Sequence, residues 1–269
     1  MGGGEDYLHR STIMEDQMRT KLSYAEIVET LKTTLNLRGS PVAVKLAKSP
    51  EGIPEGVKPI EETVRHCQMV SKARLDGAIF YATADKHVCM GGGWALGLKE
   101  LTKSLRTGEF YYKLGKFESW AACMRTIQQV PHVPELETYA TVYAPLEKTP
   151  FDPHVVIIVA EPRSMLKLAQ ATLYQLGGRI ESTMSGIQSV CADATAQPYL
   201  TGRINYSLGC DGSRRFSGIK TANSSWASPP RSSRSLPGPS RSSPGRPGRC
   251  GNRHRSSPLF LRRLPRPKV

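Results

Sequence analysis

The feature that most restricts the fold of this chain is an abrupt change in composition near Lys220. Residues 221–269 contain 9 Pro, 11 Ser and 11 Lys or Arg, but no Asp or Glu. A segment of this kind buries too little apolar surface to offset the conformational entropy that it loses on ordering. We therefore predict a flexible segment at 1–19, one folded domain at 20–220 and a disordered tail at 221–269.

The tail has three interpretations. With one choice of codons, the nucleotide text for "KTANSSWASPP" reads "DGELIVGIPA" when it is moved by two nucleotides, which gives a turn followed by an apolar strand. We favour such a shifted reading frame over a native disordered tail, and both over a basic arm that binds nucleic acid.

Charge and hydropathy limit the partners of the folded part. The chain has a net charge of +14, but without the tail 26 basic residues face 23 acidic ones, which leaves +3. We therefore expect no specific nucleic-acid partner. No apolar run reaches the roughly 18 to 20 residues that a membrane span needs, and the first residues contain no apolar core of a signal peptide. These observations favour a cytoplasmic protein with no membrane partner and no disulfides among its six cysteines.

The pattern of the first 220 residues predicts alternating helices and strands. Ser23 and Glu26 form a capping box for a helix that ends before Gly39, and Pro162 opens another. A third helix is predicted around "KFESWAACMRTIQQV". Strands are predicted at "PVAVKL", 77–83, 138–144, 154–160 and 203–208. The expected fold class is α/β or α+β, a single domain with a mixed β-sheet flanked by helices.

The stretch "KHVCMGGGWALGLKEL" is the most unusual of the folded part. Three glycines follow Cys89, and their backbone N–H groups can form an anion-binding nest. If a helix begins there, its positive end also favours a thiolate at Cys89. The alternative is a tight turn with a buried cysteine.

Other cysteines occupy comparable positions. Cys210 stands between Gly209 and Gly212, two residues of a turn, and Cys67 follows His66. Cys123 falls on a helix face that also favours core packing. The predicted metal ligands are Cys67, Cys89, Cys123 and Cys210, with Cys191 in reserve, and the predicted cofactor-binding groups are Gly91, Gly92, Gly93 and Arg214. His66 and His87 are alternative ligands, but histidines beside strands are more often structural.

These residues support three hypotheses. The first is a cysteine-ligated iron–sulfur cluster or zinc ion with a redox or cofactor-handling role. The second is a non-catalytic protein whose glycine-rich turns bind a small anion or cofactor. The third is an enzyme with a cysteine nucleophile, for which His87, two residues before Cys89, is the candidate base.

Four stretches resemble the prokaryotic family known as domain of unknown function 169. They are "HCQMVSKAR", "FYATADKHVCMGGGWALGL", "CMRTIQQVPHVP" and "CADATAQPYLTGRINYSLGCDGSRRFSGI". The resemblance covers roughly residues 20–219, and it implies a fold-sized unit but no activity. Members continue past "FSGI" with a further apolar strand, and the departure of this chain at that point supports the shifted reading frame.

Overall fold

A computed structural model describes residues 22–174, 177–219 and 224–228 of the chain. The predicted flexible segment at 1–19 lies outside the described residues. Of the predicted tail, only Ser224–Ser228 is described, and these five residues form a strand. This strand hydrogen bonds to two neighbouring strands, and the rest of the predicted tail lies outside the described residues, so its disorder and the domain bounds stay predictions.

The described strands form one six-stranded sheet with the order β2-β3-β1-β4-β6-β5. Their bounds are Val42–Ala47 for β1, Phe80–Thr83 for β2, Ala140–Pro145 for β3, Val155–Ala160 for β4, Asn205–Ser207 for β5 and Ser224–Ser228 for β6. Each neighbouring pair in the described sheet is antiparallel. The predicted mixture of helices and sheet is confirmed. The predicted mixture of strand directions is not found in the described residues, where parallel pairing occurs only as the isolated bridges Pro59–Tyr81 and Val64–His87.

The helices follow the local signals of the sequence where those signals are strong. The α-helices are α1 Tyr24–Leu35, α2 His66–Asp76, α3 Met90–Ala95, α4 Lys103–Arg106, α5 Glu109–Lys113, α6 Trp120–Ile127, α7 Pro162–Leu173, α8 Gln197–Thr201 and α9 Asp211–Phe216. The predicted capping box of α1 is present, with the Ser23 side chain and Glu26 bonded reciprocally. The helix ends at Leu35, because Asn36 adopts a left-handed conformation with a φ of 50° before Gly39 is reached.

Helices cover both faces of the sheet. On one face, Val28 and Leu35 of α1 and Leu168 of α7 pack against the strands. On the other face, Met69 of α2 and Val190 of a π-helix at Ser189–Ala196 join the main core. As predicted for a central strand, β4 contributes buried residues to both faces. No helix in the described ranges is long and apolar enough to cross a bilayer.

A second core cluster surrounds Trp94 and lies beside the main core. It gathers α3, α4 and α6 against the start of the π-helix through apolar side chains that include Leu105, Cys123 and Ile127. A cavity lies at the junction between this cluster, α2 and α9.

Candidate functional site

Four cysteines line one cavity of about 580 Å³. They are Cys67, Cys89, Cys191 and Cys210, and they come from four separate segments of the chain. Cys67, Cys89 and Cys210 were predicted as ligands of one site, and Cys191 was the alternative ligand. The arrangement therefore brings together thiols that are far apart in the sequence.

Each of these cysteines lies at the start of a helix. Cys67 is the second residue of α2, Cys89 and Cys210 immediately precede α3 and α9, and Cys191 is the third residue of the π-helix. The first turn of a helix leaves backbone N–H groups without intrahelical partners. At Cys89 one such group is used, because the Gly92 N–H donates to the sulfur at 3.4 Å. The cavity wall thus offers N–H donors and partial positive charge to sulfur.

Two glycines allow the wall to close around these groups. A Cβ at Gly91 would lie 2.8 Å from Nε2 of Gln188, which is closer than side chains approach in folded proteins. A Cβ at Gly92 would lie 3.5 Å from the sulfur of Cys89 and 3.8 Å from Cβ of Cys191. Since one point is close to both cysteines, Cys89 and Cys191 are neighbours across Gly92.

The thiols influence one another electrostatically. Burial, together with the smaller effects of Cys210 and Cys89, raises the pKa of the Cys67 thiol to about 12. Burial also raises the pKa of Cys191 well above its usual range, with added contributions from Cys89, Cys210 and Cys67. Without a bound cation, these two thiols are therefore protonated at neutral pH. A bound cation would reverse that preference, because it stabilises thiolates.

The arrangement is not a ready site for a single ion. Among the residues that the structure describes, no three His, Cys, Asp or Glu side chains lie close enough together to hold one metal ion. The cysteines surround a space instead of converging on a point.

Comparison with known proteins places these residues in a family. The sequence profile of domain of unknown function 169, described as uncharacterised ArCR, matches residues 30–232. The chain belongs to this family. It is also 48% identical over 190 residues to Uncharacterized protein MJ0308 of Methanocaldococcus jannaschii, an alignment that covers 70% of this chain and 81% of that protein. No solved structure is significantly similar to the chain. The predicted family membership is confirmed, and the four cavity cysteines lie within the range matched by the family profile.

Cys123 does not line the cavity of this family member, although it was predicted as a ligand. Its side chain is fully buried in the second core cluster, and its sulfur donates to the Gly108 carbonyl at 3.0 Å. The reason is the phase of α6, which turns Cys123 and Ile127 together toward the core. Cys191 takes the place in the cavity wall that the sequence analysis gave to Cys123.

Only two of the four predicted cofactor-binding residues line the cavity. Gly91 and Gly92 line the cavity, but Gly93 packs against Lys99. The N–H groups of Gly92 and Gly93 are already bonded to Cys89, one to its sulfur and one to its carbonyl. The Arg214 guanidinium donates to the Leu208 carbonyl and is not among the groups lining the cavity. Its neighbour Arg215 does line it, because successive helix residues point about 100° apart.

His66 and His87, the alternative ligands, are buried and form hydrogen bonds with hydroxyl groups of neighbouring side chains. His66 contacts the Tyr143 hydroxyl through Nδ1 at 2.7 Å and the Thr195 hydroxyl through Nε2 at 3.0 Å. His87 contacts the Thr141 hydroxyl through Nε2 at 3.0 Å. Burial lowers the pKa of both histidines to about 3, so both are neutral. His66 reaches the cavity but has both ring nitrogens occupied, which fits the structural interpretation.

Sequence reasoning missed several cavity residues. Gln188 is 4% exposed, and its amide satisfies no hydrogen bond of standard geometry among the described residues, although the Tyr111 hydroxyl lies beside it. Burial raises the pKa of Tyr111 above its usual range, and Cys191, Cys89 and Cys210 add to that effect. The aromatic run "FYYKLGKF" was the available signal for Tyr111. The left-handed backbone of Gln188, with a φ of 53°, has no such signal.

Proposed function

We propose that this chain holds an iron–sulfur cluster in the cavity through Cys67, Cys89, Cys191 and Cys210, and that the cluster serves a redox or cofactor-handling role. The observation that carries the proposal is the presence of four cysteines from four chain segments on one cavity wall. Four thiolates are the usual ligand set of two-iron and four-iron clusters.

The lack of a compact ligand group among the described residues argues against a single zinc ion. Tetrahedral zinc needs its ligands around one point, which would place the sulfurs within about 4 Å of one another. The described residues contain no such group. A four-iron cluster instead holds its cysteine sulfurs roughly 6 to 7 Å apart, a separation built from ordinary iron–sulfur bond lengths. The cavity of about 580 Å³ has room for it.

The surroundings of the cysteines suit a negatively charged cluster. Backbone N–H groups at the helix starts can donate to the thiolates, as Gly92 already does to Cys89. Arg65 and Arg215 also line the cavity and add positive charge, whereas the charge of Lys116 on the same wall is paired with that of Asp211. Val88 and Met90, which flank Cys89, are 47% and 44% exposed, so one ligand stands close to the surface. Proximity to the surface supports electron exchange with a partner.

The glycine-nest alternative has less support. An anion bound at Gly91–Gly93 would need N–H groups that point outward, but those of Gly92 and Gly93 are bonded to Cys89. Helix α3 is also only six residues long. Neither feature favours a small anion held by the glycines alone.

The proposal is tested by isolating the full chain without oxygen and measuring iron, zinc and acid-labile sulfide per polypeptide. We expect iron and sulfide in equal amounts, a visible absorption band and a paramagnetic signal in one oxidation state. Zinc without sulfide, or a colourless protein that stays colourless after incubation with iron and sulfide, would contradict the proposal.

A further inference from the structure

A different part of the same cavity wall gathers positive charge. The guanidinium carbon of Arg65 lies 3.9 Å from the ring centroid of Phe216, and that of Arg215 lies 5.5 Å from the same centroid. All three residues line the cavity. Two like charges are thus held against one aromatic ring.

These two charges are not neutralised within the described part of the chain. Neither Arg65 nor Arg215 is a member of the ion pairs formed there. The Arg65 guanidinium donates to the neutral amide oxygen of Gln68 at 3.3 Å. Two guanidinium groups near the same ring and without a carboxylate partner leave positive charge on this wall, and a bound anion would offset that charge. Arginine is also the residue best shaped to bind a carboxylate or phosphate through paired hydrogen bonds.

The rest of the wall is suited to an organic body. Its apolar members include Leu105, Phe110, Leu114, Ile187 and Phe216. Phe110, Leu114 and Phe216 are 46%, 55% and 41% exposed, so their apolar surfaces are available to a ligand in the cavity. The volume of about 580 Å³ falls within the range of roughly 300 to 1,000 Å³ that is typical of small-molecule sites.

A buried amide supplies a second, independent observation. Gln188 lines the cavity and is 4% exposed, and the Tyr111 hydroxyl beside its amide can satisfy only one of the two polar amide atoms, so at least one of them is left without a hydrogen bond in the described residues. The Thr102 hydroxyl on the same wall is also buried without a hydrogen bond. Buried polar groups are normally satisfied, so unsatisfied ones in a cavity wall point to a bound ligand.

We propose that the cavity binds an organic anion, with its carboxylate or phosphate on Arg65 and Arg215 and its apolar body against Phe110, Leu114 and Phe216. This inference goes beyond the cluster and does not depend on it. We expect the ligand to be an apolar organic acid or the phosphate ester of an apolar alcohol.

The test is a fluorescence titration of the full chain, before any metal is added, with anilinonaphthalene sulfonate. This probe combines an apolar aromatic body with one negative charge. We expect saturable binding, and we expect Arg65→Met and Arg215→Met each to weaken it by about tenfold to a hundredfold, because each removes a charge-assisted hydrogen bond. Octanoate and octyl phosphate should displace the probe, and the stronger competitor identifies the head group.

Two controls separate charge recognition from unfolding. Arg203→Met removes an exposed guanidinium that lies 4.0 Å from Glu181 and outside the cavity wall, so it should bind the probe like the parent. The neutral analogue N-phenylnaphthylamine should bind the parent, Arg65→Met and Arg215→Met alike. Absence of probe binding, parent-like binding by either cavity variant, or equal loss of the neutral analogue would overturn the proposal.

Discussion

Alanine at Gly91 should make the protein less stable than alanine at Gly92, although both residues lie in the same helix. At Gly91 the new Cβ would meet Nε2 of Gln188 at 2.8 Å, its Cδ at 3.1 Å and the Tyr111 hydroxyl oxygen at 3.4 Å. At Gly92 the nearest atoms would be Cβ and Sγ of Cys89, both at 3.5 Å, which are ordinary contacts. The first change therefore displaces a buried amide, and the second displaces nothing.

The magnitude follows from a comparison within one helix. Both glycines lie in α3, so alanine gains the same helix propensity at each, about 1 kcal/mol in the free energy of unfolding. Only Gly91→Ala also incurs the cost of overpacking, about 1 to 3 kcal/mol. We expect Gly92→Ala to be neutral or stabilising by up to about 1 kcal/mol, and Gly91→Ala to be less stable than Gly92→Ala by about 1 to 3 kcal/mol.

Urea unfolding of both variants, followed by circular dichroism, measures this difference directly. Thermal unfolding gives a second measure, in which a stability gap of 1 kcal/mol corresponds to a shift of about 2 to 4 °C in Tm for a domain of this size. Equal stability of the two variants, or a lower stability of Gly92→Ala, would refute the close approach of Gln188 to the Gly91 backbone.

Three further predictions concern the sheet, the tail and the buried network. Replacing Ser224–Ser228 by Leu-Ile-Val-Gly-Ile should raise solubility and the urea midpoint, since this strand pairs with the apolar β4; unchanged values would argue against a shifted reading frame. If the full chain binds DNA in a gel-shift assay, we expect the binding to be nonspecific, to weaken steeply with added salt and to be lost when residues 229–269 are removed. Sequence-selective binding by the shortened chain would contradict this prediction. Tyr143→Phe should lower the free energy of unfolding by about 1 to 3 kcal/mol, because it leaves Nδ1 of His66 and the Thr141 hydroxyl short of a buried partner. A value near zero in urea unfolding would show that the network does not stabilise the fold.

Elements with strong local signals were predictable. The capping box of α1 and the proline at the start of α7 fix the helix starts within the local sequence. Strand β4 was predictable as central, because its apolar run leaves no polar face for solvent. These features depend on residues that are neighbours in the chain.

The candidate site was predictable only in part. Cys67, Cys89 and Cys210 were singled out by their flanking glycines or histidine, and all three line the cavity. Cys123 has the spacing to Ile127 that favours a core position, and the core is where it lies. The prediction of Cys123 as a ligand relied on the metal-binding chemistry of thiols, but the face of α6 on which it lies decides its position.

The remaining site residues depend on geometry that has no sequence signature. Cys191 reaches the cavity from a π-helix, whose hydrogen bonds to the fifth residue do not follow from residue type. Arg215 lines the cavity where Arg214 was expected, because the start of α9 sets which of the two faces inward. Tyr111 and Gln188 meet only through tertiary packing.

The most direct test of the four-cysteine account compares Cys191→Ala with Cys123→Ala. Both residues are buried, at 8% and 0% exposure, but only Cys191 lines the cavity. Each full-length variant is incubated without oxygen with iron and sulfide, and the bound iron and sulfide per polypeptide are measured. We predict that Cys123→Ala retains the content of the parent and that Cys191→Ala loses most of it. Full retention by Cys191→Ala, or loss in Cys123→Ala alone, would contradict the account.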